Sequence, residues 1–192
     1  RAWINTTGNP GLSRGGSGDA LAGMTAALLA CGALDETGAL QEEGHPFSAQ
    51  IVQENGQAAF CLPGTKLLFT QADVRAIQLA KAAIAAGLET LLRSANLAPE
   101  DVDDLYIAGG FGSHLHIPSA VTIGLLPAAL AAKARAIGNA SLEGASRLLL
   151  SREEGEKARD IAARSRHVAL GGNPMFNERY IENMMFESSN CD

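Results

Sequence analysis

Apolar residues recur at three- and four-residue spacing along two stretches of the chain, which is the pattern of a helix with one buried face. The first stretch contains Leu21, Met24, Leu28 and Cys31. The second contains Val74, Ile77, Ile84, Leu88 and Leu91. Thr70 and Asp73 stand at capping-box spacing ahead of the second stretch, so the pattern predicts a long helix that runs to about Ala95.

Short apolar runs bounded by turn residues predict strands between and after these helices. The runs are Ala2 to Asn5, Ala49 to Gln53, Gln57 to Leu62, Leu105 to Ala108, Ala134 to Ile137 and Arg166 to Leu170. Asn55-Gly56 separates two of them and favours a tight hairpin. Helices are predicted after Asn139, over Glu153 to Ser165 and after Asn173-Pro174. Strands that alternate with helices in this way indicate an α/β fold, with a mixed sheet flanked by helices.

A polar connection from Gln41 to Ser48, with Gly44 and Pro46, predicts a boundary inside the chain. We therefore expect residues 1–48 to form a glycine-rich loop, a helix and a connection, either within one unit or as the remnant of another domain. Residues 49–192 are expected to form the larger lobe.

The segment ahead of the first helix, GNPGLSRGGSGDAL from Gly8 to Leu21, has the composition of an anion-binding loop. Gly15, Gly16 and Gly18 permit positive φ and a close approach of the backbone to a ligand. With Ser17 they lie where the free N–H groups of a helix start favour a phosphate, so all four are candidate nucleotide-binding residues. Asp19 is the candidate catalytic base or metal contact. An ordinary turn capped by Ser17 or Asp19 is the alternative interpretation.

A second glycine cluster follows the predicted strand at Leu105 to Ala108. Gly109, Gly110 and Gly112 place the backbone where α/β sheets usually bind ligands, so they are further nucleotide-binding candidates. Asn139 is chiefly a predicted helix N-cap, with ligand contact as its second role. Lys81 falls within the apolar stripe of the long helix, so its ammonium either reaches the solvent rim or binds a ligand or an ion-pair partner.

Other polar residues are assigned structural roles. His114 and His116 point the same way on an extended segment, but no third metal ligand lies nearby, which favours a role in stabilising the loop over a metal pair. The acidic run at Asp101, Asp103 and Asp104 is expected to be solvated surface. No metal site is predicted from clustered protein ligands.

Composition and charge narrow the function classes. Of the 192 residues, 46% are hydrophobic, which is enough for a substantial core. A formal net charge of -6 without a basic block argues against a nucleic acid or an anionic membrane as partner, and leaves small molecules and proteins. Cys31, Cys61 and Cys191 stand far apart, so they supply no iron–sulfur ligand set and fit a reducing, cytoplasmic setting.

From about Lys66 to Phe186 the chain resembles the C-terminal part of the ASKHA-type reductive activators of corrinoid proteins. The matching motifs are TQADVRAIQLAKAAIAAGLETLL from Thr70, DDLYIAGGFGSHLHIPSAVTIGLLP from Asp103, IGNASLEGA from Ile137 and NPMFNERYIENMMF from Asn173. The resemblance implies the ribonuclease-H-like lobe shared by actin, sugar kinases and heat-shock ATPases. It also implies that Gly109, Gly110 and Gly112 form the adenosine-side loop.

The segment NTTGNPGLSRGGSGDALAGMTAALLACG, from Asn5 to Gly32, resembles instead the end of the ribokinase-like NAD(P)H-hydrate dehydratases. In that family the GSGD segment forms an anion hole with a catalytic aspartate, which assigns Gly16, Ser17 and Gly18 to a phosphate and Asp19 to the base. The corrinoid activators also carry a glycine-serine-glycine turn here. A divergent activator, a fusion and a composite chain all remain open at this point.

The longer resemblance implies an ATP-binding lobe of an ATP-dependent reductive activator, with ATP and Mg²⁺ as cofactors and a corrinoid protein as partner. Such activators resemble ferredoxins at their N-terminus and bind ATP between two lobes, so activity is expected only within a larger protein. The alternatives are a fragment of an ADP- or ATP-dependent NAD(P)H-hydrate dehydratase and a non-catalytic module that docks a corrinoid protein. A homo-oligomer is compatible with all three.

Overall fold

A computed structural model describes residues 17–109 and 115–186. Its helices are α1 (Ser17–Ala30), α2 (Gln71–Ser94), α3 (Ile117–Thr122), α4 (Ala140–Leu150), α5 (Arg152–Arg164) and α6 (Pro174–Glu182). Its strands are β1 (Ile51–Glu54), β2 (Gln57–Cys61), β3 (Leu68–Thr70), β4 (Leu105–Ala108) and β5 (Ala134–Gly138). Three short 3₁₀ helices lie at Ser48–Gln50, Pro99–Asp101 and Ala128–Lys133.

The first three strands form an antiparallel sheet in the order β1-β2-β3. Ile51 pairs with Phe60 and Glu54 pairs with Gln57, so the two-residue turn between β1 and β2 is Asn55-Gly56. Both turn residues have positive φ, 51° and 76°, which the twist of a tight hairpin requires and which asparagine and glycine tolerate. The predicted hairpin is confirmed.

The other sheet is parallel and consists of β4 and β5. The chain between them passes through α3 and a 3₁₀ helix, as a connection between parallel strands must. The described part of the chain thus contains antiparallel and parallel pairs flanked by helices, which confirms the predicted mixed α/β class. The expected strand at Ala2 to Asn5 lies outside the described residues.

The helix α2 begins with the predicted capping box. The Thr70 side chain accepts from the backbone of Asp73, while the Asp73 carboxylate accepts the Thr70 N–H at 2.8 Å. The helix ends at Ser94, close to the predicted end.

The buried face of α2 differs from the predicted apolar stripe. Val74 is fully buried as expected, but Ile84 and Leu91 are 43% and 48% exposed, so the prediction is wrong for these two. Small and polar residues are buried instead: Gln78, Lys81, Ala82, Ala85, Ala86 and Thr90. Alanines admit a neighbouring helix closely, and α6 with the residues that follow it packs along this face.

The predicted strand at Arg166 to Leu170 is also wrong, because this segment has no regular structure. Arg166 donates a hydrogen bond to the Ser94 carbonyl at 3.1 Å, and the Leu170 side chain lies against Gly87. The segment therefore runs along α2 through side-chain contacts, and no ladder of backbone hydrogen bonds forms.

The core joins residues from across the described chain. Its members include Ala26 and Leu28 from α1, Phe60 and Phe69 from the antiparallel sheet, Val74, Ile123, Leu125 and Phe186. The division at residue 48 stays a prediction, although α1 contributes to the same cluster as the later elements. Among the described helices, none has the length and apolarity that a bilayer span needs.

A short loop from Asp35 to Gln41 connects α1 to the rest of the core, and Asp35 organises this loop. One carboxylate oxygen accepts the Thr37 N–H at 2.9 Å, the Thr37 hydroxyl at 2.7 Å and the Ala39 N–H at 2.9 Å. Burial alone would raise the pKa of Asp35, but these hydrogen bonds outweigh it and hold the pKa below its ordinary value.

The same loop is attached to α2 by two glutamines. Gln71 donates to the Gly38 carbonyl, and Gln78 donates to the Thr37 carbonyl at 3.0 Å. Gln78 also donates to the Met184 carbonyl at 2.9 Å, so its amide is held on both sides. A Cβ on Gly38, which has a φ of 81°, would lie 2.5 Å from the Gln78 amide nitrogen.

We expect Gly38→Ala to lower the free energy of unfolding by about 2 to 4 kcal/mol, because it adds a clash with an anchored amide to the strain of positive φ. Gly64→Ala is the matched control, since Gly64 has a φ of 73° and open space around it. The control should lose about 1 kcal/mol. Equal losses in urea denaturation would contradict a close contact between Gly38 and Gln78.

We expect the contribution of Asp35 to depend on pH. Because its folded pKa is lowered, its stabilisation is present above the unfolded value of about 4 and is lost as the pH falls through the folded pKa. At pH 7, Asp35→Asn should lower the free energy of unfolding by about 1 kcal/mol, and the difference from wild type should shrink in acid. Glu36→Gln, at an exposed position of the same loop, is the control. A difference that stays constant from pH 7 to pH 3 would refute this role.

Candidate nucleotide site

The C-terminal ends of β4 and β5 lie side by side, where Gly109 follows β4 and Gly138 is the last residue of β5. The parallel register runs from Leu105 opposite Ala134 to Ala108 opposite Gly138, with an irregularity after Ile107. Gly109 has a φ of 91° and Gly138 a φ of 63°. The Gly109 N–H donates to the Gly138 carbonyl at 2.6 Å, which fixes the two turns against each other.

The helix α4 starts directly beyond Gly138. The Asn139 side-chain oxygen accepts the Leu142 N–H at 3.1 Å, so the predicted N-cap is confirmed. The start of α4 therefore lies next to Gly109, and a helix start favours negative charge through its unpaired N–H groups and its dipole. Two candidates that are 30 positions apart, Gly109 and Asn139, thus meet at one edge of the sheet.

Within the part of the chain that the structure describes, the space beside these glycines is open. A Cβ on Gly109 or on Gly138 would meet no atom within 4 Å among the described residues. Positive φ, and not crowding by a neighbour, is therefore what makes glycine necessary at both positions. A glycine turn beside a helix start is able to admit a flat or anionic ligand. Gly138 was absent from the predicted site, although a glycine directly after a predicted strand is the same signal that indicated Gly109.

Lys81 lies in the interior and not at the rim. Its side chain is only 1% exposed, its ammonium donates to the Met185 carbonyl, and the nitrogen lies 5.0 Å from the centre of the Phe186 ring. A charge so deeply buried needs such partners to offset its lost hydration. The expectation that the ammonium reaches solvent is therefore not met, and its role toward a ligand stays a prediction.

A polar cavity of about 260 Å³ adjoins Lys81 on the side of α6. Its lining includes Glu89, Arg179 and Asn183. The Asn183 amide donates to Glu89 at 3.0 Å, and the Arg179 guanidinium lies 3.8 Å from the same carboxylate. These groups pair with one another and connect α6 to α2.

The remaining predicted site residues are placed less fully. Ser17, Gly18 and Asp19 lie in the first turn of α1, but their side chains fall outside the described part of the structure. Gly15, Gly16, Gly110 and Gly112 lie outside the described residues.

Two structural assignments are supported. The imidazole of His116 caps α3 through Ser119, with 2.8 Å between Nδ1 and the Ser119 oxygen, in agreement with its expected role in the loop; His114 is outside the described residues. Asp104 forms an ion pair with Arg135 at 2.9 Å, while Asp101 accepts the Ala98 N–H. Within residues 17–109 and 115–186, no three His, Cys, Asp or Glu side chains stand close enough together to hold a metal ion.

The paired strand ends, the glycine turns and the capped helix lie together at one edge of the parallel sheet, and comparison with known proteins identifies the family. A family model described as the C-terminal ASKHA domain of RACo matches residues 2–192. The chain belongs to this family. The match includes residues 5–32, so one family accounts for the glycine-rich segment together with the rest.

Two relatives agree with this assignment. The chain is 37% identical over 152 residues to the corrinoid activation enzyme RamQ of Eubacterium limosum, a match that covers 75% of this chain and 26% of RamQ. It is also similar to the solved structure of a reductive activator for a corrinoid, iron-sulfur protein, with a TM-score of 0.75 and 31% identity over 86% of this chain and 27% of the other. The chain spans about a quarter of the length of these relatives.

Proposed function

We propose that this chain is the ATP-binding lobe of an ATP-dependent reductive activator of corrinoid proteins, and that it acts as part of a longer polypeptide. The relatives are named for corrinoid activation, and the chain covers about a quarter of each. The observation that carries the proposal is the hydrogen-bonded pair of glycine turns at the ends of β4 and β5, with the capped start of α4 beside it.

In this proposal the backbone at Gly109 lies against the adenosine side of the nucleotide, and Gly110 and Gly112 continue that contact. Asn139 holds the start of α4 in place with its side-chain oxygen, and its amide nitrogen would be the group that donates to a ligand. ATP, when bound, supplies the free energy that accompanies transfer of a low-potential electron to an inactive corrinoid.

The glycine-rich loop is proposed as the phosphate contact. Phosphate oxygens would be bound by backbone N–H groups at the start of α1, from Gly15, Gly16, Ser17 and Gly18. Backbone groups suit this role because the chain is acidic overall and has few cationic side chains available for a phosphate. Asp19 would act beside them, as a contact to Mg²⁺ or as the group that orients water.

Lys81 is also proposed as a nucleotide-binding residue, on the condition that the C-terminal segment that covers it moves. Because its ammonium is buried and donates to the Met185 carbonyl, it would reach a phosphate only after residues 184–186 moved away from α2. In the described arrangement it positions the C-terminal segment.

We expect Gly109→Ala to weaken the binding of Mg-ATP by about tenfold or more, since the strain of a φ of 91° would distort the turn that contacts the nucleotide. Isothermal titration calorimetry on the longer polypeptide that contains this chain measures the change. Gly64→Ala, which has similar backbone strain far along the chain from β4, should bind like wild type.

Three outcomes separate the alternatives. Absence of Mg-ATP binding by the longer polypeptide would refute the proposal, and equal affinity of Gly109→Ala and wild type would refute the role of this turn. The reduction of a corrinoid protein, monitored through the absorption spectrum of that protein, should decrease in Gly109→Ala together with the affinity for ATP. If that variant lost ATP binding and still supported full reduction, the reduction of the corrinoid protein would not require ATP binding at this turn.

A further inference from the structure

The segment after α6 covers the ammonium of Lys81, and we name residues 184–186 the C-terminal strap. The Met185 carbonyl accepts a hydrogen bond from Lys81, and the Phe186 ring has its centre 5.0 Å from the same nitrogen. Phe186 is 3% exposed and belongs to the core, whereas Met185 is 55% exposed. The strap thus combines one buried aromatic anchor with a residue at the surface.

The polar contacts of the strap can be exchanged for other partners. If the strap left α2, the Gln78 amide would lose the Met184 carbonyl but keep the Thr37 carbonyl at 3.0 Å. The Met185 carbonyl would face the polar cavity of about 260 Å³ that its own residue lines. Because a carbonyl that finds water on release costs little, the burial of Phe186 is the main contribution that holds the strap closed.

Lys81 lies between the strap and the first turns of α1. Besides the polar cavity, it lines an apolar cavity of about 210 Å³ together with Leu21 and Ala22. These two residues follow the first turn of α1, which begins at Ser17. An ammonium released from the strap would therefore be next to the end of α1 that the glycine-rich loop precedes.

Charge favours an anion on the α1 side of Lys81 over the polar cavity. In the polar cavity, Glu89 and Glu182 pair with Arg179 and would repel a phosphate. Asp73 lines the apolar cavity, but its carboxylate is already bound within the capping box of α2. The ammonium of Lys81 is thus the group that would attract a phosphate on the α1 side.

We propose that the C-terminal strap is an autoinhibitory contact, in which the Met185 carbonyl and a nucleotide phosphate compete for the Lys81 ammonium. The inference rests on the proposed function, because it takes the phosphate site at the start of α1 as given. Binding of the phosphate exchanges the hydrogen bond to Met185 for one to a phosphate oxygen and releases the strap. The apparent affinity for nucleotide is then reduced by the fraction of molecules in which the strap is open.

Hydrogen exchange in the wild-type protein tests the proposal without any substitution. The Phe186 N–H is protected by its hydrogen bond to the Glu36 carbonyl at 2.8 Å. In the longer polypeptide that contains this chain, saturating Mg-ATP should accelerate exchange of this amide, because the strap leaves α2. The Ala95 amide, at the far end of α2, should exchange at the same rate with and without Mg-ATP.

Phe186→Ala tests the competition through affinity. Loss of the buried ring should open the strap and raise the affinity for Mg-ATP by about tenfold or more in isothermal titration calorimetry. Ile181→Ala is the matched control, since Ile181 lies on α6 just before the strap and is 66% exposed, and it should leave the affinity unchanged. On a Lys81→Met background, Phe186→Ala should give no gain, because the group under competition is absent.

Three results would overturn the proposal and leave the proposed function in place. The first is wild-type protein that binds Mg-ATP while exchange at Phe186 is unchanged or slower. The second is folded Phe186→Ala that binds Mg-ATP no more tightly than wild type, and the third is an equal gain on the Lys81→Met background. Absence of Mg-ATP binding by wild type would instead remove the proposed function and the strap with it. If Phe186→Ala does not fold, the exchange measurement on wild type decides.

Discussion

The buried polar face of α2 is the constraint on which the rest of the described structure depends. Gln78 binds the Thr37 carbonyl on one side and the Met184 carbonyl on the other, and Lys81 one turn later binds the carbonyl of Met185. One helix therefore holds the loop after α1 and the segment after α6 in place at the same time. Removing polar groups from water is unfavourable unless each finds a partner, so these contacts specify the arrangement as well as stabilise it.

Local features of this fold could be predicted from the sequence, because each is decided by residues a few positions apart. The hairpin follows from the positive φ that Asn55-Gly56 accepts, and the starts of α2, α4 and α6 follow from the capping side chains of Thr70, Asn139 and Asn173. In each case the hydrogen bond or backbone angle lies within one turn. No tertiary contact is needed to fix it.

Burial on α2 could not be predicted in this way, because it depends on which element packs against the helix. Periodicity selects Ile84 and Leu91, whereas α6 packs along α2, whose buried face is rich in alanines, and the segment after α6 contacts Gln78. The candidate site likewise combines residues that the local sequence indicates with an arrangement that it does not. Gly109 and Asn139 are each indicated by local pattern, but their adjacency results from the parallel pairing of β4 with β5, which joins residues far apart in sequence.

The contact between Lys81 and the end of α6 also constrains the order of synthesis. The acceptor carbonyl at Met185 is 104 positions beyond the lysine, and the Phe186 ring that faces the ammonium comes later still. On a ribosome, α2 is complete long before either group has been made. The contacts of Lys81 with the end of α6 therefore form only after nearly the whole described chain has emerged.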